Sequence, residues 1–131
     1  MKRDDRQCLD PPGMRFAGMS QGLACGDLIH VSGQVALKNG RITGIGDPEV
    51  QARQCFANIA AVLALADASV DDVVALRCYL VHRDHYPAYA AVKNEIFTTY
   101  PPCGTAVIVQ GLLLPDLLLE VEAVAQRRQT A

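Results

Sequence analysis

The chain has 131 residues, half of them apolar and a fifth charged, with a net charge of −2. That length fits one domain with a real core, and that composition excludes a disordered chain. No run of Lys or Arg extends beyond Lys2-Arg3 and Arg127-Arg128, which argues against nucleic acid as a partner, and no apolar run is long enough to cross a bilayer, so a membrane is not expected either.

Residues 1–13 are polar and end in Asp10-Pro11-Pro12-Gly13, which reads as an N-terminal arm, loose or packed down, ahead of a single domain over residues 14–131. The charged N-terminus has no apolar segment behind it, so it is not a secretory signal and the expected location is the cytoplasm. Residues 27–36 read as a strand with an interior glycine, Gly33, and such a glycine marks a bulge or a ligand approaching the backbone. On a regular strand His30, Ser32 and Gln34 share one face. Lys38-Asn39-Gly40-Arg41 is a hairpin signal.

A helix is expected over residues 50–68, with Val50, Ile59, Val62, Leu63 and Ala66 on one stripe. Asp47 is placed to cap it, and Pro48 suits its first turn. Residues 73–81 form a nearly continuous apolar strand interrupted by Arg77, which suits a structural pairing with a carboxylate such as Glu122. A second helix starts at His85 or Tyr86 and runs to Tyr100, where Pro101-Pro102 stops it, with Tyr89, Val92, Ile96 and Phe97 facing in. Residues 105–109 and 117–125 are the last strands. The order β-β-α-β-α-β-β suggests two helices packed on one face of a mixed sheet.

Chemistry concentrates in the last fifth of the chain. Cys103-Gly104-Thr105 offers a thiol, a bare backbone and a hydroxyl. Glu120 and Glu122 alternate with Leu119, Val121 and Ala123, which puts both carboxylates on one face of a strand whose other face is apolar. A carboxylate on a strand built for burial is costly unless it has a partner or a task. The five cysteines show no metal-ligand spacing and read as free thiols, most of them small buried hydrophobes. His82, Asp84 and His85 read as a solvated turn, and no metal or cofactor is expected.

Several short segments carry a resemblance when taken together and in order. They are Ser20-Gln21-Gly22, Val31-Ser32-Gly33-Gln34, Gln54 with Asn58-Ile59 and Val62-Leu63, and Ser69-Val70-Asp71-Asp72-Val73-Val74. Tyr89, Asn94-Glu95, Tyr100-Pro101 and Glu120-Val121-Glu122-Ala123-Val124-Ala125 complete the set. Over roughly residues 18–128 the chain resembles the YjgF, or Rid, family of reactive intermediate deaminases, formerly described as L-PSP endoribonucleases. The resemblance implies an α+β, chorismate-mutase-like fold and a homotrimer whose sheets form a barrel with clefts between subunits. It implies hydrolysis of enamines and imines to a keto acid and ammonia, with Glu120 as the residue that handles water. It places Ser32 and Gly33 in the cleft, with Asn94 able to bond a cleft loop.

The chain departs from the family pattern where the substrate would be held. A Pro-Ala-Arg-Ser/Thr segment, whose Arg clamps the substrate carboxylate, is Pro102-Cys103-Gly104-Thr105 here. Met19 stands where an aromatic is usual. Cys103 is then either a nucleophile or a cleft-lining thiol, Gly104 either a ligand-approaching backbone or a turn glycine, and Thr105 either a hydroxyl donor or a β-former. The readings in competition are an imine or enamine hydrolase with altered substrate preference, a non-catalytic small-molecule binding or sensing trimer, and an endoribonuclease, against which the acidic balance weighs.

Overall fold

The computed structural model describes residues 6–128. Six strands form the main sheet: β1 (Arg6–Leu9), β2 (Gly22–Cys25), β3 (Leu28–Gln34), β6 (Val73–Leu80), β7 (Cys103–Ile108) and β8 (Leu119–Gln126). Their spatial order is β1-β2-β3-β8-β6-β7, with β6 and β7 parallel and every other pair antiparallel. A separate hairpin joins β4 (Leu37–Lys38) and β5 (Arg41–Ile42). Its turn residues Asn39 and Gly40 have φ of 53° and 76°, the left-handed pair that a tight two-residue hairpin needs.

Helix α1 (Pro48–Ala64) starts where expected, with the Asp47 carboxylate accepting from the Val50 N–H at 3.1 Å. It ends before residue 68, because Asp67 turns to φ 55° and the Ala68 N–H returns to the Leu63 carbonyl. Helix α2 (Tyr86–Ile96) also ends early, at Phe97. The two helices meet through Phe56, whose ring lies 5.8 Å from Tyr89 and 5.6 Å from Phe97. Beneath them Ile29, Val31, Leu76, Cys78, Leu80, Leu119, Val121 and Ala123 close one continuous core. The expected mixed α+β sheet with helices on one face is what the chain forms.

Of the two states expected for the N-terminal arm, the packed one is found where the arm is described: Arg6–Leu9 pairs with β2 as an edge strand, and Leu9 is buried. Three details differ from expectation. Neither β1 nor β2 was expected as a strand, because each is four residues long and neither has a β-branched residue. Only Cys55 and Cys78 of the five cysteines are buried, while Cys8 and Cys103 are exposed. Lastly, β3 does not hold one register. Val31 pairs with Ala123, but Gln34 pairs with Val121, so one extra residue bulges at Ser32-Gly33. The slip moves Gln34 off the face it would share with His30 and onto the buried face.

Buried Gln51 positions the segment leading into β8. Its amide donates to the carbonyls of Gly44 at 3.1 Å and Asp116 at 2.9 Å, and its oxygen accepts from the Leu118 N–H at 2.9 Å. All three neighbours are backbone groups, so this one side chain stitches two loops to α1 two residues before Glu120.

Candidate functional site

The alternation of β8 separates its faces. Leu119, Val121, Ala123 and Ala125 are buried under the helices, whereas Glu120, Glu122 and Val124 point to the other side and are half-buried. Glu122 is engaged there. The Tyr79 hydroxyl donates to it in a short hydrogen bond, and Arg77 Nη1 lies 3.7 Å from the same oxygen. The expected pairing of Arg77 with Glu122 is therefore present. That hydrogen bond is also what chiefly raises the Tyr79 pKa.

Glu120 differs from its neighbour. Among the described residues its carboxylate makes no hydrogen bond and no ion pair. Burial, followed by the nearby charge of Glu122, raises its pKa above the ordinary 4.5. The bulge in β3 makes room for it: a Cβ built on Gly33 would lie 2.0 Å from Glu120 Oε2 and 2.9 Å from Cδ. A side chain at position 33 and this carboxylate placement exclude each other. The φ of Gly33 is not positive, so the glycine serves the close approach and not a turn.

Two hollows flank Glu120. One, of about 590 Å³, is lined by Glu120 and Gly33 together with Met19, Gln21, Gln34 and Leu113. The other, of about 470 Å³, has Glu120, Gly33 and Leu113 beside Tyr79 and Glu122. In the floor of the larger hollow the Gln34 amide donates to Gln21 Oε1 at 2.8 Å. That bond joins two segments, Ser20-Gln21-Gly22 and Ser32-Gly33-Gln34, that the sequence shows only as separate motifs. Ser32 strengthens the same junction, its hydroxyl donating to the Ser20 carbonyl at 2.7 Å and its N–H to the Gln21 carbonyl at 2.8 Å.

Of the residues picked from sequence, the fold brings Glu120, Gly33 and Met19 to one cavity, with Ser32 bracing its wall. It does not bring the others there within one chain. Cys103, Gly104 and Thr105 open β7, the edge strand, in which every residue is exposed. Gly104 sits opposite Leu76 on β6 and Glu120 opposite Tyr79. Three residues along and two strand spacings across separate them by roughly 14 Å. Gly104 has extended backbone and a built Cβ there meets nothing within 4 Å, so a turn requirement does not explain this glycine. Asn94 is exposed on α2, between Lys93 and the Arg53-bound Glu95, on the helix side of the sheet. Sequence reasoning missed Gln21, Phe16 and Leu113 as lining and Tyr79 as the partner of Glu122. Only the Gln21 motif carried a signal. Among the described residues no group of three or more His, Cys, Asp or Glu side chains is placed to hold a metal ion.

A mixed six-stranded sheet under two helices, with an unpaired acid against a strand bulge, defines the class of α+β proteins built on the YjgF fold. The family model described as "Endoribonuclease L-PSP" matches residues 14–127, and the chain belongs to that family, the YjgF/Rid proteins. A RutC family protein of Pyrococcus horikoshii is 34% identical over 110 residues, 82% of this chain and 86% of the relative. Among solved structures, the YjgF gene product of Escherichia coli superposes with a TM-score of 0.83 at 26% identity, covering 93% of this chain and 99% of that one. Escherichia coli TdcF with bound serine gives 0.81 at 27% identity, covering 93% and 97%.

Proposed function

We propose that the protein hydrolyses the C=N bond of a small enamine or imine, with Glu120 as the group that handles the attacking water. One observation carries this reading: an acid half-removed from solvent, unpaired, with its pKa raised, facing a cavity of small-molecule size. Its neighbour Glu122, on the same strand face, is held by Tyr79 and Arg77 and has no such freedom. In the proposed step ionised Glu120 takes a proton from water as the oxygen bonds to the imine carbon, then returns it to the nitrogen, which leaves as ammonia. No metal or cofactor is needed.

The same reading assembles three copies, with the open sheet face turned inward and a cleft between subunits. Supporting this are the wholly exposed edge strand β7 and the exposed Val74, Val107 and Leu28. Such an edge and such apolar residues are normally covered. In that assembly Cys103, Gly104 and Thr105 of one copy would reach the Glu120 cavity of another. The bound serine of TdcF supports a cleft that takes small metabolites.

The test is ammonia release from imines generated by an oxidase, with and without Glu120→Gln. A rate that depends on Glu120 is expected, and equal rates from both proteins would remove Glu120 from the chemistry. A second reading, a binding or sensing trimer without turnover, is favoured by Gly104, which leaves open space where the family has its clamp. Thermal stabilisation by a keto acid or small amide without any turnover would select it.

A further inference from the structure

The two hollows beside Glu120 have walls of one kind. Neither is lined by a Lys, Arg or His among the described residues. The larger is walled by Phe16, Met19, Leu113 and Leu114, four large apolar side chains that stay exposed in the chain. Its buried polar side chains, Gln21, Gln34 and Asn58, are neutral amides: the first two are bonded to each other, and Asn58 donates to the Val35 and Leu37 carbonyls and accepts from Gln54. Among the described residues the only charges lining either hollow are the carboxylates of Glu120 and Glu122. Arg77, on the neighbouring strand, lines neither hollow and lies 3.7 Å from Glu122. Gly104 offers no cation from the strand that would bring one.

Resting on the hydrolase reading above, we infer that the substrate is the protonated imine of an apolar primary amine, carrying no carboxylate of its own. A carboxylate would meet one acid in the larger hollow and two in the smaller, with no cationic partner among the described residues, and an unpaired, like-charged juxtaposition is a strong form of rejection. A cationic C=NH2⁺ group meets the reverse: an acid with no partner among the described residues, and apolar surface for the rest of the molecule. The reaction balances without a co-reactant. Water adds through oxygen to the imine carbon, its proton going to Glu120. Glu120 passes that proton to the nitrogen of the carbinolamine. The C–N bond then breaks with its electron pair leaving on nitrogen, and the hydroxyl proton goes to the departing ammonia, giving an aldehyde and ammonium. The reaction that supplies this substrate is the two-electron oxidation of a primary amine.

A matched pair of probes tests the inference. A monoamine oxidase acting on 2-phenylethylamine and an amino-acid oxidase acting on phenylalanine give imines that differ only by the carboxylate. Decomposition of each is followed by ammonia release in competition with semicarbazide. The expected result is acceleration of the amine-derived imine by about 100-fold over the acid-derived one. Preference for the acid-derived imine would overturn this inference and leave the hydrolase reading standing. Acceleration of neither would overturn both. In Met19→Arg, a substitution at an exposed wall position, the preference is expected to move toward the acid-derived imine. An unchanged preference in a folded variant would show that these walls do not set it.

Discussion

Gly33→Ala tests the geometry of the site more sharply than removing the acid does. The backbone at position 33 accepts any L-residue, so the variant has no conformational reason to misfold. The new methyl would sit 2.0 Å from Glu120 Oε2, 2.9 Å from Cδ and 3.1 Å from Cγ, while ordinary contact begins at 3.4 Å. The carboxylate must therefore move by about 1.4 Å, and with Cγ also too close it cannot do so by turning its last bond alone. Overpacking costs about 1–3 kcal/mol, and replacing a strand glycine returns about 0.5–1 kcal/mol, so net destabilisation stays at about 2.5 kcal/mol or less. Catalysis is less forgiving. A misplacement of this size costs about 100-fold in rate, or about 2.7 kcal/mol in the barrier. The assay is kcat/KM for ammonia release beside a denaturant melt, which separates a lost rate from a lost fold. A folded Gly33→Ala variant with rates within two-fold of the parent would refute the claim that this glycine exists to seat the acid.

Other outcomes follow from the same coordinates. Because the Glu120 pKa is raised by burial, the native state holds that proton more tightly than the unfolded chain does, so its ionisation costs stability as pH rises from the ordinary 4.5 through the raised value. Relative to the parent, Glu120→Gln should therefore gain stability over that interval and keep the gain at neutral pH, and parallel denaturant melts at pH 4 and pH 7 measure it. Gln51→Leu strands two carbonyls and one N–H inside the protein and should cost about 3 kcal/mol or more, seen as a lowered unfolding midpoint. Asp47→Ala removes the α1 cap and should cost about 1 kcal/mol in the same measurement. Within one chain a side chain at position 104 meets nothing within 4 Å, so Gly104→Arg should change the stability of the single chain by less than about 0.5 kcal/mol. It should also raise activity on acid-derived imines such as 2-aminoacrylate, measured as ammonia release.

Much of this architecture was legible because it rests on local rules. The α1 cap, the Asn39-Gly40 hairpin and the alternation of β8 each follow from residues whose spacing fixes their geometry. The strands β1 and β2 were not legible, since four-residue segments such as Arg6–Leu9 become strands only because a neighbour pairs with them. The site divides the same way. Glu120 stood out as an acid on an apolar strand, and Gly33 as a glycine inside one. That they touch depends on a register slip between β3 and β8, a relation between segments almost ninety residues apart, which also moved Gln34 to the opposite face. Tyr79 as the partner of Glu122 is equally a product of register, because the two are diagonal neighbours across adjacent strands.

The raised pKa of Glu120 and the glycine at 104 belong to one electrostatic argument. An arginine close to a buried acid holds that acid ionised at low pH and attracts an anionic substrate, so specificity and working pH are set together. In the proposed assembly, where position 104 of one copy reaches the Glu120 cavity of another, a glycine there supplies no such charge. The acid then feels mainly desolvation and the charge of Glu122, which move its pKa upward, and the cavity is net negative. A single unit charge 4 Å from a site of intermediate polarity is worth about 4 kcal/mol, enough to reject a carboxylate and to favour an iminium cation. The two requirements for turnover then pull in opposite directions along the pH axis, since Glu120 must be ionised to take a proton from water while the imine must stay protonated to be attracted and attacked. The kcat/KM profile should accordingly be a bell whose acid limb lies above 4.5, and restoring the arginine should lower that limb and shift preference toward acid-derived imines together. A variant that moved the limb without the preference would break the link between them.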